Sequence, residues 1–139
     1  MANEAWKEIT IEALSENLYT ALDFVNVELE KMRCPQKAQM QIDVAVEEVF
    51  SNIARYAYSP ETGLAVIRIR TGPNEIRLEF EDRGEPYNPL ENADPDISAP
   101  AENRPLGGLG VFMVKKMMDT VEYRYEGSKN LLTLKKTIR

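Results

Sequence analysis

The sequence contains no histidine and only one cysteine among its 139 residues. Without histidine, the chain cannot use an imidazole for acid–base catalysis, for metal binding or as a phosphoryl carrier. Any general base must therefore be a carboxylate, and any metal must be held by oxygen ligands, which favours magnesium. The lone Cys34 cannot form an internal disulfide, which is typical of a protein in a reducing compartment.

Basic residues are also in deficit, because 17 Lys and Arg face 23 Asp and Glu, for a net charge of −6. A basic field supplies most non-specific affinity for nucleic acid, so this balance argues against direct nucleic-acid binding. No apolar run approaches the roughly 20 residues of a membrane helix, and residues 1–8 lack the order of a signal peptide. We therefore expect one soluble, cytoplasmic domain over residues 1–139 that contacts no membrane.

The hydrophobic pattern predicts strands and helices in the order β-α-α-β-β-loop-α-β-β. The predicted strands cover 6–11, 64–70, 76–82, 121–125 and 131–138, with turns over 71–74 and 127–130. The predicted helices cover 18–32, with Ser15 as N-cap, then 36–58, and then a segment opened by glycines at 107–110 and continuing to 118. This order predicts an α+β, two-layer α/β sandwich, with the helices on one face of a mixed, mostly antiparallel sheet.

The segment between the third strand and the third helix has a different composition. Five of the eight prolines lie in residues 83–105, which carry little apolar periodicity. A loop of this length inside a compact domain is usually a lid or binding loop, and we expect a lid over about 86–106. A disordered surface insertion is the alternative interpretation.

The first candidate site motif lies on the second predicted helix. Glu48 and Asn52 are four residues apart, so they lie on the same helix face, one turn from each other. An asparagine carbonyl is a neutral oxygen ligand for magnesium, and a nearby carboxylate can accept a proton from an attacking hydroxyl. Such pairs are also common on solvated helix faces, so this motif alone is weak evidence.

The second motif follows the predicted strand 76–82. Asp82 at the strand end can accept a hydrogen bond from an exocyclic amine such as that of adenine. Gly84 removes a side chain where a flat base must approach the backbone. An ordinary turn is the alternative, because Asp, Gly and Pro are frequent turn residues.

The third motif is the run Gly107-Gly108-Leu109-Gly110 at the start of the third helix. Glycines allow close approach of the backbone to a polyphosphate, and a helix N-terminus presents free N–H groups and a partial positive charge. No Gly-Lys-Ser/Thr follows, and the run follows a loop, so it is neither a P-loop nor a dinucleotide fingerprint. A flexible hinge is an equally good interpretation of these glycines alone.

The order and spacing of the three motifs resemble the GHKL ATPase superfamily, which includes the nucleotide-binding domains of histidine kinases. Within it, the chain most resembles the stand-alone bacterial anti-sigma-factor serine/threonine kinases. The stretches that carry this likeness are 104–110 (RPLGGLG), 118–123 (MDTVEY) and 127–134 (GSKNLLTL). The resemblance implies the Bergerat ATP-binding fold, with ATP and Mg²⁺ bound between the helices and the lid.

The resemblance also implies roles for individual residues. Glu48 matches the general base, Asn52 the magnesium ligand, Asp82 the acceptor of the adenine amine and Gly84 the glycine beneath the base. The positions that match the phosphate-binding loop and its flank are Arg104, Gly107, Gly108, Leu109 and Gly110. Two positions depart from the superfamily pattern: Asn130 stands where threonine is frequent, and Tyr56 where histidine is frequent.

By this resemblance we expect a homodimeric kinase that phosphorylates a serine or threonine of a STAS-type anti-sigma-factor antagonist and also sequesters a sigma factor. A nucleotide-gated binding module without phosphotransfer is the main alternative. The catalytic part of a histidine kinase is a third interpretation, which the missing phosphoacceptor histidine disfavours. An α+β domain without a nucleotide would require all three motifs to coincide by chance.

Overall fold

The computed structural model of the chain describes residues 5–58, 61–91 and 108–138. Its helices and strands follow the predicted order. The strands are β1 (Lys7–Glu12), β2 (Leu64–Thr71), β3 (Glu75–Asp82), β4 (Thr120–Glu126) and β5 (Lys129–Thr137). The α-helices are α1 (Leu18–Lys31), α2 (Gln36–Asn52) and α3 (Gly108–Met117). Short 3₁₀ turns cover Ser15–Asn17 and Pro89–Glu91, and a π-helix covers Ile53–Ala57.

The strands form one sheet in the order β1-β2-β3-β5-β4. We expected a mixed, mostly antiparallel sheet, and all neighbouring strands in the described ranges are antiparallel. The predicted hairpin of β2 and β3 is present, with Ile67 opposite Phe80. Because β3 lies between β2 and β5, its last residue, Asp82, has Ala65 on one side and Asn130 on the other.

The turn between β4 and β5 is tighter than predicted. We expected a turn over 127–130, but only Gly127 and Ser128 lie outside the strands. Both have positive φ, at 62° and 61°, as a two-residue type I′ turn requires. The turn therefore ends before Lys129, and Asn130 belongs to β5, where its side chain has a fixed direction.

The core lies between one face of the sheet and the three helices. Side chains alternate along each strand, so that every second residue is buried in β2 and in β3 as far as Phe80. Glu81 and Asp82 at the end of β3 are both buried. Phe50 of α2 packs with Ile67, Leu78 and Phe80 in this core, and burial of each such side chain contributes roughly 1.5–3 kcal/mol. The two-layer α+β architecture is thus confirmed. In the described ranges, no helix combines the length and the apolar character needed to cross a bilayer.

The start of α1 differs from the prediction. Ser15 was expected to cap the helix, but it opens the 3₁₀ turn, and Asn17 occupies the N-cap position without a side-chain cap. The Asn17 amide instead donates to the Glu12 carbonyl at 2.9 Å. This bond ties the turn to the end of β1, and a contact with the preceding strand has replaced the local cap.

The second helix also ends differently. We expected a helix over 36–58, but α-helical geometry stops at Asn52 and the chain continues as a π-helix to Ala57. π-Helical turns are rare and often lie at functional sites. The change occurs directly after a predicted site residue, and it determines which backbone atoms face the end of β3.

Candidate functional site

A cavity of about 570 Å³ lies between the helices and the sheet. Its wall is built from the end of α2, the π-helix, α3, the strands β3 to β5, and the segment that follows β3. The residues that line it are Val49, Asn52, Ile53, Tyr56, Ala57, Phe80, Asp82, Glu85, Pro86, Tyr87, Pro89, Leu90, Val111, Val114, Val121, Tyr123, Asn130 and Leu132. Most of them are apolar, with a few polar groups, as is usual for sites that bind a flat organic ring.

Asp82 is the buried acceptor in this wall. Its Oδ1 accepts hydrogen bonds from the Gly84 backbone N–H at 2.9 Å and from Asn130 Nδ2 at 3.0 Å. Its Oδ2 accepts none from the part of the chain that the structure describes. Burial raises the pKa of Asp82, while the bonds from Asn130 and Gly84 lower it and the neighbouring Glu81 raises it. Asp82 can therefore offer one carboxylate oxygen to an amine in the cavity.

Asn130 connects this carboxylate to the segment that leaves β3. Its Nδ2 lies 3.0 Å from Asp82 Oδ1, 3.3 Å from the Gly84 carbonyl and 2.9 Å from the Glu85 carbonyl. Its Oδ1 accepts the Tyr87 backbone N–H at 3.1 Å and the Tyr123 hydroxyl at 2.5 Å. The side chain is buried. The sequence marked Asn130 only as a departure from threonine, and nothing local to it predicts these contacts.

Gly84 packs against the backbone of Ala57, a neighbour that the sequence did not predict. A Cβ at this position would lie 2.6 Å from the carbonyl carbon and 2.8 Å from the Cα of Ala57, in the π-helix. The next residue, Glu85, donates its N–H to the Ala57 carbonyl at 3.1 Å. Close packing of two backbone segments thus already requires a glycine at this position, and the role beneath a base stays a prediction.

Glu48 and Asn52 lie one turn apart on α2, as predicted, but they stand differently toward the cavity. Both side chains are half-buried, and Asn52 lines the cavity together with Val49. Glu48 is not among the lining residues. The structure therefore brings Asn52 and Asp82 to one cavity and leaves Glu48 on the helix beside it.

The predicted phosphate-binding residues are only partly described. Arg104 and Gly107 lie outside the described residues, as does the predicted lid beyond Glu91. Gly108, Leu109 and Gly110 form the start of α3, as the third motif predicts. The next residue along this helix, Val111, lines the cavity, as does Val114. The N-terminal turn of α3 is thus adjacent to the cavity.

Tyr58 also supports the site, although sequence reasoning missed it. Its hydroxyl donates to the Leu64 carbonyl at 2.7 Å and accepts the Arg83 backbone N–H at 2.7 Å. A Cβ on Gly63 would lie 2.6 Å from the ring atom Cδ1. Burial raises the pKa of the phenol. Tyr58 therefore joins the end of the π-helix to β2 and to the residue that follows Asp82.

The described residues fit a nucleotide with a magnesium ion. The cavity volume lies within the roughly 300–1,000 Å³ of small-molecule sites, and Asp82 Oδ2 suits an amino group. Within the described ranges, no group of three or more acidic or cysteine residues could hold a metal by itself. Magnesium needs no such group, because it is often held by one or two protein oxygens plus substrate phosphates. Asn52 can supply one of those oxygens.

A family model described as "histidine kinase-like ATPase domain" matches residues 11–136, which include every described strand and helix except the first four residues of β1 and the last residue of β5. The chain belongs to this family. The family that the three motifs predicted is therefore confirmed. Because the chain belongs to a family of ATPase domains, the described cavity is the candidate site for ATP.

Two curated relatives of the chain are protein kinases by name. The serine-protein kinase RsbW of Bacillus thuringiensis is 27% identical over 96 residues, which are 66% of this chain and 60% of that protein. The serine/threonine-protein kinase BtrW of Bordetella bronchiseptica is 23% identical over 103 residues, 73% of this chain and 72% of that protein. The match thus spans less than two thirds of the RsbW relative.

Two solved structures share the fold of the chain. The RsbU and RsbW domains of Rv1364c from Mycobacterium tuberculosis match with a TM-score of 0.69 and 15% identity, over 96% of this chain and 32% of that one. The Acinetobacter baumannii histidine kinase AdeS matches with a TM-score of 0.52 and 16% identity, over 96% and 68%. At these identities the likeness establishes the two-layer fold alone.

Proposed function

We propose that the chain is an ATP-dependent protein serine/threonine kinase that acts on a regulatory partner protein. The observation that carries this proposal is the meeting of Asn52, from α2, and Asp82, from β3, in the wall of one cavity of nucleotide size. These residues belong to two separate sequence motifs, and both line one cavity whose other lining residues are mostly apolar.

In this proposal each residue contacts a different part of the nucleotide. Asp82 accepts the adenine amine, and Asn52 supplies an oxygen to Mg²⁺. The N–H groups of Gly108, Leu109 and Gly110 at the start of α3 meet the phosphates, together with that of Gly107 before them. Arg104 neutralises phosphate charge, and none of the described residues that line the cavity is Lys or Arg. When bound, Mg²⁺ supplies further neutralisation of the phosphate charge.

The proposed reaction needs one proton acceptor, and Glu48 is assigned to it. Glu48 accepts the proton of a serine or threonine hydroxyl as the hydroxyl oxygen forms its bond to the terminal phosphorus. The phosphoanhydride bond breaks, and its electron pair leaves on ADP. Because the chain has no histidine, a carboxylate is the available base of suitable pKa.

The last part of the proposal concerns the proteins that the chain contacts. We propose a STAS-type anti-sigma-factor antagonist as the phosphorylated protein, a sigma factor as a second ligand, and a homodimer as the active form. The kinase names of the RsbW and BtrW relatives support phosphorylation of a protein hydroxyl. The motif at 104–110 supports the anti-sigma class.

Calorimetry tests the nucleotide site. We expect ATP with Mg²⁺ to bind the wild type at micromolar concentration and to bind Asp82→Asn at least about tenfold more weakly, because the amine loses a charged acceptor. Asn52→Ala should bind ATP with little dependence on Mg²⁺. Absence of any binding to the wild type would overturn the proposal and leave a protein-interaction domain without a nucleotide.

One observation favours the second candidate, a nucleotide-gated binding module without phosphotransfer. Glu48 does not line the cavity, and a module that only binds needs no base. Transfer of radiolabelled phosphate from ATP to a candidate antagonist separates the two functions. A kinase should lose nearly all transfer in Glu48→Gln and keep it in Glu47→Gln, a matched change at the exposed neighbouring position. Tight ATP binding with no transfer by the wild type would favour the module.

A further inference from the structure

Asn130 makes more hydrogen bonds than a threonine side chain could make in its place. A threonine hydroxyl has one donor hydrogen, whereas the asparagine amide has two N–H donors and a separate carbonyl acceptor. In this chain the N–H groups meet three acceptors and the carbonyl meets two donors. Asparagine at position 130 therefore makes connections that threonine cannot provide.

These hydrogen bonds connect the two parts of the cavity wall that the proposed nucleotide site depends on. The first is the orientation of Asp82, whose Oδ1 is held by Asn130 while Oδ2 has no partner in the described ranges. The second is the course of the chain after β3, because the Glu85 carbonyl accepts a hydrogen bond from the same Nδ2 at 2.9 Å and the Tyr87 N–H donates to Oδ1 at 3.1 Å. Glu85 and Tyr87 both line the cavity.

Rigid support from β5 and β4 makes Asn130 suitable for this role. Its backbone is paired with Asp82 on one side and with Tyr125 on the other. The Tyr123 hydroxyl donates to its Oδ1 from β4, which sets the direction of the amide. A buried side chain in a paired strand has little freedom, so the groups bonded to it inherit that restriction.

We propose that Asn130 is a positioning residue for nucleotide specificity. Its amide holds Asp82 with a single oxygen toward the cavity and fixes residues 84–87, the segment that follows β3. The identity of the ligand rests on the proposed function, but the positioning itself is a property of the free protein. Asn130→Thr should therefore alter both the free site and its preference for ATP.

Two measurements on the nucleotide-free protein test the positioning. Hydrogen exchange should show the Tyr87 amide of Asn130→Thr exchanging at least about fivefold faster than in the wild type, the factor for one neutral hydrogen bond. A ¹³C NMR titration should place the carboxyl pKa of Asp82 higher in the variant, because a donor to the charged form is lost. The titratable groups near Asp82, which are Glu81, Tyr58 and Tyr123, are the same in both proteins.

A double-mutant cycle tests the link to the ligand. In the otherwise wild-type protein, which retains Asp82, Asn130→Thr should weaken ATP binding about tenfold and reduce the preference for ATP over GTP. In the Asp82→Asn background the same change should cost much less, because both substitutions act through one carboxylate. Asn74→Thr, in the turn at the opposite end of β3, is the matched control and should change neither affinity nor preference.

The outcomes separate this inference from the proposed function. An unchanged Tyr87 exchange rate together with an unchanged Asp82 titration would overturn the positioning role, even if the wild type binds ATP. If the wild type binds no ATP, the proposed function fails, while the two nucleotide-free measurements still decide the role of Asn130. Asn130→Ser replaces the threonine variant in every arm if circular dichroism shows that Asn130→Thr does not fold.

Discussion

Replacement of Gly84 by alanine distinguishes packing against the π-helix from contact with a base. Neither Gly84 nor Gly72 is among the described residues with positive φ, so alanine is compatible with the backbone conformation at both. At Gly84, however, the added Cβ would lie 2.6 Å from the carbonyl carbon of Ala57. Carbon atoms pack at roughly 3.5–4.0 Å, so the two segments must separate by about 1 Å.

The cost of this separation has three parts. Forcing a methyl group into a packed site costs about 1–3 kcal/mol. Loss of the bond from Glu85 N–H to the Ala57 carbonyl, now 3.1 Å, costs about 1 kcal/mol more. Alanine recovers about 0.4–1 kcal/mol by restricting the unfolded chain. We therefore expect Gly84→Ala to lower the free energy of unfolding by about 2 kcal/mol, within the range of these terms.

Urea denaturation without nucleotide measures this change. Gly72→Ala is the matched control, since its Cβ would lie 3.6 Å from the Glu75 carbonyl oxygen, an ordinary contact, and its stability should be unchanged or slightly higher. The reasoning is refuted if Gly84→Ala unfolds like the wild type. Unchanged stability with weakened ATP binding would return Gly84 to the base-contact role that the sequence suggested.

Two further substitutions test the polar groups around the site. Tyr58→Phe removes the bonds to the Leu64 carbonyl and the Arg83 N–H, and thermal or urea unfolding should show a loss of about 1–3 kcal/mol; a change below 0.5 kcal/mol would contradict the bridging role. Asp82→Asn should stabilise the nucleotide-free protein at neutral pH, because burial disfavours the charged carboxylate and the asparagine amide carries no charge, while it weakens ATP binding. Because burial holds the pKa of Asp82 above 3.8, the unfolded chain loses this proton first, and wild-type stability falls as pH rises from 3.8 to the folded pKa. The advantage of the variant should therefore be absent below pH 3.8 and complete at neutral pH, and equal pH dependence of the two proteins would refute the argument.

Local patterns predicted most of the fold. The strict alternation from Ile76 to Asp82 identified β3, and the glycine and proline at 72–73 identified the turn before it. The apolar face of α2, including Ile42 and Val49, is buried as its period indicated. Each of these features depends on residues that are close in the sequence, so a short window contains the information that specifies them.

The details of the site depend on contacts between distant residues. Gly84 packs against Ala57, and Asn130 reaches Asp82 and Glu85 across neighbouring strands. No short window contains both partners of such a contact. The motifs therefore predicted that Asn52 and Asp82 belong to one site, but not that the glycine serves packing or that Asn130 organises the wall.

The π-helix after Asn52 bears on how the chain tolerates changes in its length. A π-helical turn contains about one more residue than a turn of α-helix, so the residues beyond it are rotated by about 100° relative to a continuous α-helix. Ala57 and Tyr58 meet the chain after β3 in that rotated direction. Removing one residue from 53–56 would let the turn relax to α-geometry and would point both contacts away. The fold thus constrains the number of residues in the segment 53–56 as strictly as their identity.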